Sequence, residues 1–435
     1  MIQKASLTRT YYQRTLIKIF KMITKLRREQ NKSLMIFAFV MLASTSCFMT
    51  GCQDVKANES KLPKVSSVPE LLLRNEKIQL GKEWDQIQNL YAQQVADLRR
   101  GKNVNEAKLN LALLFIKEAR VTGEHGHYYP AALKMTTEIL ENKDLSSDSK
   151  FRTLMTKAGI KLSLHEFAEA KEIALQAIKL NALNAQIYGI MVDCHVELGE
   201  YEQAVAMADK MISIKPDLRS YSRISYLREI HGDVEGAKEA MKLAVESGFP
   251  GTEETAWAMQ TLAEMYQLYG EPEKAKKIYN TILASRKDYP FAVGGLASLE
   301  FEKGNIKEAE KIIQEAIDII PEVGFYVQLA DLYKAEGKDG QLKEISEEIF
   351  VMLKDDVTNG HNMNLEYALL HLELLEDPEK ALFYAELEYQ KRPENIDVNR
   401  LMARIYKSKD DISKSKEHKI KAQKTKSIHP ELNLI

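Results

Sequence analysis

A carboxylate and two histidines fall within four residues of one another in the stretch "VTGEHGHYYP", Val121 to Pro130. Imidazole nitrogens and carboxylate oxygens ligate zinc-like cations, and such a site needs three or four donors. Histidines one residue apart chelate from an extended segment, so Glu124, His125 and His127 form a candidate metal set. A second reading makes the stretch a contact loop for a protein partner. A third makes it a structural turn, with Tyr128 and Tyr129 folded back and the imidazoles fixing it by hydrogen bonds. Elsewhere the sequence carries no phosphate-binding glycine loop, no GxSxG, no HExxH and no CxxC. His165, His195, His231 and His371 stand at unrelated places and read as helix-surface or hydrogen-bonded residues. Cys194, in "IMVDCHVELG", reads as a small buried thiol. The expectation is a non-enzymatic chain that needs no cofactor.

The elements that position these residues follow from composition and spacing. A chain of 435 residues has room for two or three domains. It is 45% hydrophobic and 29% charged, yet holds only 20 Gly and 11 Pro. So few turn-formers, with abundant Ala, Leu, Glu and Lys, predict long helices on short connections. The net charge of −2 is uneven: residues 1–52 hold nine of the 61 basic residues and one of the 63 acidic ones. The remainder is therefore about ten charges negative, which gives no footing for nucleic acid.

Met22 to Val55 has the three parts of a secretory signal: Lys25, Arg27, Arg28 and Lys32, an apolar run from Leu34 to Ala43, then small residues before a cysteine. The apolar run is half the ~20 residues a spanning helix needs. Its end, Met49-Thr50-Gly51-Cys52, resembles the bacterial lipoprotein signal. That resemblance implies cleavage after Gly51, diacylglycerol on the Cys52 thiol, and acyl chains such as palmitate holding the protein to a membrane. Residues 1–51 are then the signal segment, with Met22 as the expected start. Gln53, where Asp would mark retention, favours the outer over the inner membrane. Residues 52–68 are polar and read as a flexible tether.

From about residue 105 the chain repeats itself. Ala185 to Asp217 and Pro290 to Glu322 each hold an apolar-periodic helix, a turn glycine (Gly199, Gly304), an alanine five residues on (Ala204, Ala309) and a closing proline (Pro216, Pro321). The marker alanines Ala170, Ala204, Ala237, Ala275 and Ala309 follow at spacings of 34, 33, 38 and 34, with Ala381 later. This pattern resembles the tetratricopeptide repeat (TPR), and implies an all-α fold: an α-solenoid, a right-handed superhelix of TPR helix pairs with a concave groove lined by first helices. About nine pairs are expected over 105–435, the first and seventh degenerate, behind a capping region at 69–104 with a helix from Glu83 to Arg100. The lysine-rich Ile412 to Ser427 reads as a polar C-terminal cap. In the first pair the turn is about eight residues too long, and "TGEHGHYYP" is that insertion, with Pro130 in the first turn of the second helix.

Carried onto this sequence, the groove-facing positions of TPR proteins fall on Arg152, Arg219, Tyr226, Trp257, Phe291 and Phe301. The resemblance implies a lipid-anchored scaffold of the bacterial cell envelope that binds an envelope protein in this groove. Two alternatives stand beside it: a carbohydrate-capturing envelope lipoprotein, and a metal-handling protein working through His125 and His127.

Overall fold

The computed structural model describes residues 68–435, and every regular element among them is helical. Helix α1 (Gly81–Arg99) precedes nine consecutive pairs. The first three are α2 (Val104–Thr122) with α3 (His125–Leu140), α4 (Ser147–Ser163) with α5 (Phe167–Leu180), and α6 (Ala185–Glu197) with α7 (Tyr201–Ile214). Next come α8 (Leu218–Ile230) with α9 (Val234–Glu246), α10 (Glu253–Leu268) with α11 (Pro272–Ser285), and α12 (Pro290–Glu302) with α13 (Ile306–Ile317). The last three are α14 (Val323–Ala335) with α15 (Asp339–Thr358), α16 (Asn364–Glu373) with α17 (Pro378–Lys391), and α18 (Ile396–Ser408) with α19 (Ile412–Ala422). No helix of the described residues is long and apolar enough to cross a membrane.

The repeat marks act as their chemistry requires. Ala170, Ala204, Ala237, Ala275, Ala309 and Ala381 are all 0% exposed, so each pair closes onto a methyl group. Between the helices, Gly199 and Gly304 take φ of 76° and 78°, the left-handed conformation that ends a helix. In three pairs that place is held by a non-glycine residue, His165, Glu376 or Asp410, at φ of 60°, 52° and 59°. Side chains there cost local strain that the surrounding contacts must offset.

Residues nearly two hundred positions apart also meet. The Asn362 amide donates to the Leu164 carbonyl at 3.1 Å. The Ile396 amide donates to the Tyr201 hydroxyl at 2.8 Å, and Lys424 reaches the Gly199 carbonyl at 3.1 Å. Near the start, Arg286 pairs with Glu83 at 3.2 Å, and the Asn75 amide group donates to the Asp318 carbonyl at 2.7 Å. Each connects units about six pairs apart, so successive turns of the solenoid touch. The polar residues of the last pair therefore do more than face water.

The insertion in the first pair is a correction to the expected loop. Helix α2 runs through Thr122, Gly123 turns with φ of 75°, and α3 starts at His125. The extra residues lengthen the helices, to 19 and 16 residues, instead of the turn. Pro130 lies inside α3, beyond its first turn. Burial accounts for the difference: Tyr128 and Tyr129 are 0% and 4% exposed, and helix places them in the core where a loop would leave them in water.

The N-terminal segment is anchored by an ion pair that periodicity did not reveal. Arg74 forks onto Glu118 at 2.8 and 2.6 Å with both side chains fully buried, and reaches Glu83 at 3.1 Å. Glu83 in turn holds Arg286, so the segment ties the first pair to α11 one turn away.

Candidate functional site

Two cavities among the described residues bring functional candidates together. The first, of about 680 Å³, is lined almost wholly by the first helices α2, α4, α6, α8 and α10. Three of the six expected groove residues share it: Arg219, Tyr226 and Trp257. Arg219 opens α8 on its exposed face, while Tyr226 and Trp257 keep 38% and 39% of their surface exposed. Arg223 beside them is neutralised by Asp193, at 2.9 and 2.6 Å. Desolvation, then the nearby Asp397 and Glu197, push the Tyr226 phenol well above its ordinary value.

The other three stand elsewhere. Arg152 forks onto Glu106, both bonds 2.9 Å. Phe291 packs on Tyr289 and Phe325, with ring centroids 5.6 and 5.7 Å away, and Phe301 packs on the core around Ala309. Both phenylalanines are half-buried against these neighbours. Cys52 and Gly51 lie outside the described residues.

The second cavity, of about 750 Å³, lies where the first pair meets the seventh and eighth. His125, at the start of α3, is joined there by Asp356 and His361, each offering one donor atom within 4.8 Å of the others. The candidate set from one short stretch is thus split. His127 and Glu124 line the cavity without joining the trio, and His127 donates from Nε2 to the Glu70 carbonyl at 2.8 Å. Helix geometry causes this, since residues two apart point to opposite sides of α3.

Local folding places the partners. Helix α15 ends at Thr358, Gly360 takes φ of 94°, and the His361 amide donates back to the Asp356 carbonyl at 3.0 Å. That turn brings His361 Nδ1 to 3.8 Å from Asp356 Oδ1. His165, the strained turn residue of the second pair, donates from Nδ1 to the Asn362 carbonyl at 2.9 Å, and its ring meets His361 edge-on at 6.2 Å. Six carboxylates line this cavity (Glu124, Glu322, Asp355, Asp356, Glu366 and Glu373) with four histidines, and no lysine or arginine does.

The titrating groups respond to this crowding. Burial, then the neighbouring His125 and His165, push the His361 imidazole down to about 4. Burial and Asp355 push Asp356 up to about 6, while burial and Asp356 push Glu322 up to about 7. Burial disfavours the charged form of each group, and the neighbours of like sign add to it. Sequence reasoning found His125 but missed Asp356 and His361, which lie 231 and 236 positions away in a different unit. The available signal was that both irregular units, the first and the seventh, contribute. Cys194 is buried and its thiol is pushed up to about 12 by burial, which leaves it inert.

The sequence profile of the tetratricopeptide repeat matches residues 185–218. The small glutamine-rich tetratricopeptide repeat-containing protein 2 of Saccharomyces cerevisiae is 32% identical over 109 residues, which are 24% of this chain and 30% of that protein. This chain thus matches under a third of that relative's length. A tetratricopeptide repeat protein from Parabacteroides merdae superimposes with a TM-score of 0.41 at 14% identity, covering 59% of this chain and 98% of that one. A thermophilic TPR protein of Thermus thermophilus gives 0.39 at 19% identity, over 45% of this chain and 98% of the other. The chain is an all-α helical-repeat protein that carries a tetratricopeptide repeat at residues 185–218.

Proposed function

We propose that the protein is a lipid-anchored scaffold of the bacterial cell envelope, held to a membrane through Cys52, the outer one in preference to the inner. It recruits another envelope protein by binding an extended or helical segment of it along the first-helix cavity. The observation that supports this most is the joint exposure of Tyr226 and Trp257 beside Arg219 on consecutive first helices. Exposed aromatics with an arginine in a concave surface are the usual anchors of protein recognition. The repeat at 185–218 supports the same class of activity. The expected role is non-enzymatic.

A photo-crosslinking residue in place of Trp257, used in intact cells, tests the reading. The expected outcome is a dominant adduct with one envelope protein, identified by mass spectrometry and reduced when Tyr226→Ala is added. Adducts spread evenly over abundant proteins would sink it. Anchoring is tested separately. Cys52→Ala should abolish lipid labelling and release the chain from membranes, and continued membrane association would count against the anchor.

A further inference from the structure

We infer that His125, Asp356 and His361 bind one zinc-class divalent cation, which fastens the first helix pair to the end of α15 one solenoid turn away. The inference is independent of the groove and of the anchor. Three observations carry it.

First, the donors are of the right type and nearly in place. Two imidazoles and a carboxylate are a common zinc set, with the fourth position left to water. Neighbouring donors around a tetrahedral zinc with ~2.0–2.1 Å bonds stand roughly 3.3 Å apart. His361 Nδ1 and Asp356 Oδ1 are already 3.8 Å apart, and no pair exceeds 4.8 Å, so a cation draws the trio inward by at most about 1.5 Å.

Second, His361 is 7% exposed and its Nδ1 has no hydrogen-bond partner. A buried, unpartnered imidazole nitrogen costs on the order of 1–3 kcal/mol unless something occupies its lone pair. It faces Asp356 across a gap too long for a hydrogen bond and suited to a shared ion.

Third, the surroundings select a cation. The cavity wall carries six carboxylates and no lysine or arginine, and the carbonyl end of α15 adds partial negative charge. The N-terminal end of α3 opposes this with a partial charge only. His165 contributes from the side: its bond to the Asn362 carbonyl fixes the backbone that follows His361. Imidazole ligands favour zinc and its late first-row neighbours over magnesium and calcium.

The purified full chain, stripped with a chelator, is titrated with ZnCl2 and, for a visible signal, CoCl2. The expected result is one equivalent bound, with cobalt absorption bands of a four- or five-coordinate nitrogen and oxygen site. Zinc should also slow hydrogen exchange at the Asn362 amide, which bridges to Leu164. His125→Ala, Asp356→Asn and His361→Ala should each weaken binding at least about tenfold. His127→Ala and Glu124→Gln should leave it within about twofold. Asp356→Asn keeps side-chain shape, so it reports on ligation even if a histidine variant loses structure, which circular dichroism of the metal-free proteins would reveal. Absence of saturable one-to-one binding overturns the proposal. So does equal sensitivity to His127→Ala, or a site that prefers MgCl2 or CaCl2 to zinc.

Discussion

The turns of the third and sixth pairs match mark for mark at an offset of 105 residues, yet their surroundings differ. Gly199 and Gly304 have the same φ and the same closing bonds: the residue after each glycine donates to a carbonyl five residues back, at 2.7 and 2.9 Å. A side chain grown on Gly304 meets nothing within 4 Å, whereas one on Gly199 lies 2.4 Å from the backbone of Glu394. Tyr201 binds the Ile396 amide and Glu197 pairs with Arg392, while among the described residues their counterparts Ile306 and Glu302 make no hydrogen bond or ion pair to another solenoid turn. The shared marks encode the pair. What differs between them encodes the contact between turns. A helical repeat thus carries two codes, one periodic and one not.

The largest loss is expected where the second code is buried. Arg392, 6% exposed, holds Glu388 at 2.5 Å and Glu197, and stacks 4.9 Å over Phe167. Arg392→Met leaves Glu388, 1% exposed, without this partner. A cost of about 3–5 kcal/mol follows in urea denaturation. A loss below about 1 kcal/mol would mean that the turns do not rest on this pair. Gly199→Ala and Gly304→Ala then divide the two codes directly. Both pay roughly 1 kcal/mol for a left-handed alanine, and only Gly199→Ala adds a backbone collision, so it should lose about 2–3 kcal/mol more. Equal losses would show that the inter-turn contact carries no stability.

The helical repeat was legible because its marks are local: a turn glycine, a buried alanine and a closing proline act within one pair. The cavity residues Arg219, Tyr226 and Trp257 were also legible, since position within the unit decides which face a first helix presents. Phe291 and Phe301 do not line that cavity, and position within the unit does not say which neighbours a side chain meets. The ion pair of Arg74 with Glu118 and the meeting of His125 with Asp356 and His361 lie beyond any periodic reading. They depend on where the solenoid returns, and that is set by small rotations summed over six pairs. Even so, the irregular units were visible as irregular, and the first and seventh prove to face each other. Departures from a repeat are worth reading in pairs.

A smaller effect isolates one hydrogen bond of the inter-turn contact. Tyr201→Phe removes the acceptor of the buried Ile396 amide while keeping the ring under Lys424. The expected cost is about 1–2 kcal/mol, with faster exchange of the Ile396 amide as its local signature. An unchanged exchange rate would place that amide's protection elsewhere.

The smallest effect separates the two turns by pH. Burial raises the Glu197 carboxyl above its ordinary value, although Arg392 pulls it the other way. A carboxyl with a raised folded pKa holds its proton longer in the folded chain than in the unfolded one. Between its unfolded value, near 4.5, and its higher folded value, the folded state therefore binds more protons. Stability from this group is greatest below that window and declines as pH rises through it. Glu197→Gln cannot titrate, so the stability of wild type relative to the variant should fall as pH rises from about 4.5 towards neutrality. Urea midpoints at closely spaced pH values measure this difference. A difference that grows with pH would mean that attraction to Arg392 outweighs desolvation, and that the contact between turns is held by charge and not by close packing.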